Sequence, residues 1–77
     1  MPRIAPVHWK TPECVFLKDG FVFERQTGDH RSYVKKGIPR PVVIPTYREI
    51  AVEIIRSNMR TAQMSRNRYF HLLRECK

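Results

Sequence analysis

The sequence predicts an α+β fold, a two-layer sandwich built as helix, three antiparallel strands, helix, and a short extra C-terminal helix. Three observations carry that expectation. Three short strand-like segments stand in the middle of the chain, the first of them alternating apolar and polar residues. The loops between them are short, which suits antiparallel pairing. Helical patterns stand at both ends of the sequence, and helices segregated from a small antiparallel sheet should pack on one of its faces. The other face should stay open to water and partners.

The elements follow in order. Residues 1–10, with Pro2 and Pro6, read as an extended arm, and residues 11–77 as one domain. Thr11-Pro12-Glu13 looks like a helix start, with Thr11 as N-cap, proline at the first helical position and an acid in the first turn. The run "ECVFLK" supplies one or two turns, and Asp19-Gly20 ends them, Gly20 being suited to a left-handed C-cap. "FVFER" (21–25) alternates, with Phe21 and Phe23 on one face and Val22 and Glu24 on the other. "QTGD" is a turn, "HRSYVK" (30–35) the second strand, and "VVI" (42–44) a third, bracketed by Pro41 and Pro45 as in a short or edge strand. Val52, Ile55, Met59 and Ala62 then recur at helical spacing on one apolar stripe. Ser65 reads as the N-cap of a last helix in which Phe70 and Leu73 share the apolar face, flanked by Tyr69 and Leu72. Met59 and Met64 read as core filler.

Composition bounds the function. A chain of 77 residues supports one domain with a modest core. Cys14 and Cys76 could form at most one bridge, and two free thiols in a reducing compartment is the simpler reading. No apolar stretch approaches the ~20 residues that span a bilayer. Residues 1–10 lack the apolar core of a signal peptide. The expected location is therefore the cytoplasm. Fifteen Lys and Arg against seven Asp and Glu give a charge of +8. Six of the basic residues fall between Arg25 and Arg48, which makes nucleic acid the leading partner class.

His30 is the residue that calls for chemistry. The turn Thr27-Gly28-Asp29 delivers it to the start of a strand near a sheet end, Gly28 allowing the chain to turn tightly. By alternation His30 shares a face with Ser32 and Val34, while Arg31, Tyr33 and Lys35 share the other. With Tyr33 packed under the helices, His30 and Ser32 lie on the open face, and Arg31 and Lys35 snorkel to the rim. The sequence alone also allows the opposite parity. RNA carries its own nucleophile, the 2′-hydroxyl, so cleavage needs a group to accept that proton and cations to steady charge on phosphorus. Histidine suits the first task and Arg or Lys the second. An ordinary surface histidine would look the same in isolation, and His8 and His71 are read that way. No His, Cys, Asp or Glu spacing suits a metal or cofactor site, and no Ser-His-Asp arrangement can be argued.

The stretches "GFVFERQTGDHRSYVKKG", "PVVIP" and "EIAVEIIRSNMRTAQMSRNRYFHLL", covering roughly residues 11 to 73, resemble the HicA toxins of bacterial type II toxin–antitoxin systems. The resemblance implies a double-stranded-RNA-binding-domain-like fold, metal-independent mRNA cleavage, and silencing by a HicB-type antitoxin. It places the catalytic histidine at His30 and the turn glycine at Gly28. Asp29 stands where serine is common in the family, and Gln63 where glycine usually joins the two C-terminal helices. On this reading Arg25, Arg31, Lys35 and Lys36 contact RNA phosphates, and the general acid is Ser32, Lys35 or water. A non-catalytic RNA-binding module and a basic interaction protein remain the alternatives.

Overall fold

The computed structural model describes residues 3–76, and Met1, Pro2 and Lys77 lie outside the described residues. The elements run α1 (Lys10–Lys18), β1 (Val22–Thr27), β2 (His30–Val34), β3 (Val42–Pro45), α2 (Val52–Ala62) and α3 (Arg66–Glu75). The strands form one antiparallel sheet in the order β1-β2-β3. The expected α-β-β-β-α layout with an extra helix is thus the observed one. None of the described helices is long and apolar enough to cross a membrane.

Side-chain parity decides what the sheet presents. Tyr33 on β2 and Val42 and Ile44 on β3 are fully buried, and with Val15, Phe16, Ile50 and Ile55 they form the core beneath the helices. In antiparallel pairs, directly opposed residues point to the same side. Tyr33 opposes Phe23 and Val42, and Arg31 opposes Gln26 and Ile44, so these residues belong to the helix side. His30 opposes Thr27 and Pro45, and Ser32 opposes Arg25 and Val43, which belong to the open side. The expected parity of β2 therefore holds. On β1 the register slips between Phe23 and Arg25, a β-bulge at Glu24. Strict alternation would put Arg25 on the side of Phe23. The extra residue flips it to the side of His30.

Several local expectations are corrected. The helix α1 starts at Lys10, two residues sooner than a Thr11 cap would allow. His8 performs the capping instead: its Nδ1 accepts from Lys10 N at 3.2 Å and its carbonyl from Thr11 N at 2.9 Å. Pro12 then sits within the first turn, where its missing N–H has no intrahelical partner to lose. The described residues before α1 are tied to the fold. Ile4 is buried in the core, and Val7 bridges Ile50, its carbonyl accepting from Ile50 N at 2.6 Å. In α3 the buried residues are Tyr69 and Leu72, while Phe70 and Leu73 are only partly covered. Ser65 caps α3 as expected, its Oγ accepting from Arg68 N at 3.1 Å.

The cysteines depart furthest from expectation. Cys14 and Cys76 are joined in a disulfide that ties α1 to the end of α3 across 62 positions of sequence. No cysteine is free. The packing of α1 against α3 brings the two together, and sequence spacing gives no sign of it.

The α2–α3 junction shows what Gln63 does in the place of glycine. It adopts the left-handed conformation, φ 56° and ψ 40°. Gln63 N donates to Arg60 O at 3.1 Å and Met64 N to Met59 O at 2.9 Å. This is a Schellman closure, with buried Met64 and Met59 forming its apolar clasp. The turn survives the substitution at the cost of a strained side-chain-bearing residue.

Candidate functional site

The β1–β2 turn is built to fix His30. Gly28 has φ +60°, while Asp29 is not among the residues with positive φ. A two-residue loop with positive φ only at its first position is a type II′ turn, which favours glycine there. Space is not the constraint, because a Cβ on Gly28 would meet nothing within 4 Å. The turn is also tied to the far strand. Thr46, just past β3, donates its N–H at 2.7 Å and its hydroxyl at 3.1 Å to the Asp29 carbonyl. Gln26 Nε2 donates to the Gly28 carbonyl at 2.8 Å. His30 thus sits at the first ladder position of β2, at one end of the sheet and on its open side.

The imidazole is oriented by its neighbour. His30 Nδ1 lies 2.9 Å from Asp29 Oδ1. An Nδ1–H donated to the carboxylate leaves Nε2 with its lone pair directed away from the turn. Both side chains are more than half exposed, 53% and 58%, so the contact adds little to stability and leaves the ring open to solvent.

The four basic residues expected to hold phosphates divide into two pairs. Arg25, carried to the open side by the bulge, and Lys36, beyond β2, are exposed, and neither is ion-paired among the described residues. Arg31 and Lys35 are engaged within the fold and do not stand free at the rim. Arg31 lies under the sheet, 4.2 Å from the centre of the Phe23 ring. Its guanidinium reaches Glu13 at 3.2 Å and Gln26 Oε1 at 2.8 Å, and donates to the Tyr33 hydroxyl at 3.0 Å. Tyr33 in turn donates to Glu13 at 2.5 Å. Burial, followed by that bond to Glu13, pushes the Tyr33 hydroxyl pKa up to about 12. Lys35 lies 3.5 Å from Asp19, which Arg68 also approaches at 3.0 Å. These two cations anchor β2 to the helices.

Other residues meet His30 instead. A depression of about 480 Å³ runs from His30 along β3 to α2, and its walls include Arg40, Tyr47, Ser57, Asn58 and Thr61. Sequence reasoning counted Arg40 only as part of a charge run and passed over the rest. One signal was available: Ser57 and Thr61 are four apart, the spacing of neighbours on one helix face, and Asn58 adjoins them.

The model of the family described as HicA toxin of bacterial toxin–antitoxin matches residues 9–64, well over half of the chain. The chain belongs to the HicA toxin family. Comparisons with curated proteins and with solved structures returned no match. The HicA match spans α1, the whole sheet and α2, and so contains the turn at His30 and the depression beside it. Helix α3 and Cys76 lie beyond it. The expected resemblance ran on to about residue 73.

Proposed function

We propose that this HicA-family toxin is a metal-independent endoribonuclease that cleaves mRNA, with His30 as its general base, and that a HicB-type antitoxin silences it by covering the same face. The observation that carries the reading is the placement of His30. It lies on the open side of the sheet, with Nδ1 on Asp29 and Nε2 turned outward. That arrangement suits removal of a proton from a ribose 2′-hydroxyl. The 2′-oxygen then bonds to phosphorus, the P–O5′ bond breaks, and water protonates the departing O5′. The second product end is a 2′,3′-cyclic phosphate. Asp29 keeps the imidazole in the productive tautomer and steadies the cation formed when Nε2 takes the proton. Arg25 and Lys36 draw the RNA backbone to this face, as does the +8 charge of the chain. Lys35 and Arg31 serve the fold, so the phosphate contacts shift toward Arg25, Lys36 and Arg40.

The test is purified protein incubated with intact RNA in EDTA, with and without the antitoxin. Cleavage in EDTA that stops when the antitoxin is added agrees with the reading. RNA that is bound but stays intact shows a binding module instead. Hydrogen exchange on the complex should show protection over residues 28–36, and protection confined to the helices would mean that inhibition works elsewhere.

A further inference from the structure

The depression between β3 and α2 has the makings of a binding site in its own right. Tyr47 at its edge is 45% exposed, an aromatic face that the core does not use. Asn58 in its wall is only 7% exposed, and its Nδ2 has no hydrogen-bond partner among the described residues. A buried amide donor without a partner costs stability, which calls for an acceptor from outside the fold. Arg40 lies at the other end, exposed and without an ion-pair partner among the described residues. Ser57 and Thr61 continue past Arg40 toward Arg60 in an adjoining shallow groove.

We propose that this depression is the pocket for one unpaired nucleotide of the RNA, next to the bond cleaved at His30. Its base stacks on Tyr47. Asn58 Nδ2, closed off from solvent in the unbound fold, turns into the pocket as the base enters and donates to a carbonyl on its edge, and Arg40 holds the following phosphate. Stacking on an aromatic ring tolerates any base, whereas a donor that must meet a carbonyl does not. Uracil, cytosine and guanine carry such a carbonyl and adenine does not, so the pocket disfavours adenine at one position. The mixed lining fits a nucleotide better than a purely apolar segment of a protein partner. The proposal rests on the endoribonuclease reading of His30 and adds to it a specificity-determining site.

Binding separates the two. RNA oligonucleotides carrying each base in turn at every position are titrated against His30→Ala protein, which isolates binding from cleavage. The same panel is titrated against His30→Ala combined with Tyr47→Ala, with Asn58→Ala or with Arg40→Ala. Thermal melts check folding. Tyr47→Ala should weaken binding roughly tenfold for every base. Asn58→Ala should abolish the discrimination against adenine while leaving the melting temperature unchanged or higher, because it removes the unpartnered amide. Arg40→Ala should weaken all oligonucleotides alike. Affinity within twofold in the folded Tyr47 variant, or an unchanged base preference in the folded Asn58 variant, would overturn the pocket. So would variants that lose antitoxin binding and keep RNA binding, since the occupant would then be the antitoxin. With His30 intact, cleavage by the single Asn58→Ala variant should lose its base preference, whereas Tyr47→Ala should slow cleavage at limiting RNA by a similar factor for every base. A His30→Ala protein that still cleaves defeats the catalytic reading and leaves the titration result standing by itself.

Discussion

Removing the disulfide should be the most destabilising change that leaves the site untouched. The bridge closes a loop of 62 positions between Cys14 and Cys76. Loop-closure entropy of that length corresponds to about 4 kcal/mol at 25 °C. A domain of this size has a total margin on the order of 4–12 kcal/mol. The bridge is therefore worth between a third and all of it. Its structural reach is local, since it holds α3 onto α1. The perturbation is Cys14→Ser with Cys76→Ser, compared with native protein under oxidising and reducing conditions. At a few degrees per kcal/mol for a small domain, the melting temperature should fall by roughly 15–30 °C. Hydrogen exchange should accelerate first in α3, while protection in β2 persists as long as the protein is folded. A double variant melting within 3 °C of the oxidised protein would refute the reasoning. The α1–α3 contacts would then suffice without the covalent link.

Three further expectations can be measured separately. Tyr33 has its pKa raised from 10 to about 12, so the native state holds that proton where the unfolded chain has lost it. Its contribution is complete below pH 10 and is lost as pH rises toward 12; the shift corresponds to about 2–3 kcal/mol, and denaturant melts of Tyr33→Phe should show a correspondingly flatter fall over that window. Gln63→Gly relieves the left-handed residue between α2 and α3 and should raise stability by about 0.5–1 kcal/mol, read as a melting shift of a few degrees; a loss would show that the Gln63 side chain makes a compensating contact. If Arg25, Lys36 and Arg40 neutralise three phosphates of a single strand, log K for RNA should fall against log salt with a slope of about −2, and a flat response would remove the basic surface from the account.

What was legible in the sequence was what short-range rules control. Alternation around Tyr33 pointed to the side on which His30 stands, and the burial of the tyrosine with Val42 and Ile44 selects that parity over the other. Gly28 announced a tight turn, and Ser65 a helix start. The bulge at Glu24 was not legible, since nothing in "FVFER" distinguishes it from a regular strand, and it changes the side of Arg25. The face of α3 was misread because Tyr69-Phe70 and Leu72-Leu73 are adjacent apolar pairs. A rotation of one residue leaves either member of each pair pointing inward, and only packing against α1 selects Tyr69 and Leu72. Arg31 and Lys35 looked like surface charge because Glu13 and Asp19 lie 18 and 16 positions away, in another element. The depression beside His30 is likewise made by β3 meeting α2, a contact no local pattern encodes.

The central claim is that His30 performs the chemistry, and single-turnover cleavage by His30→Ala in EDTA tests it most directly. An exposed residue at a strand start adds little to the core, so the variant should melt within about 0.5 kcal/mol of the parent. Loss of a general base should slow cleavage roughly 10²–10⁴-fold. RNA affinity should change only slightly, because the phosphate contacts come from other residues. Cleavage at the parent rate by a folded His30→Ala protein would contradict the account.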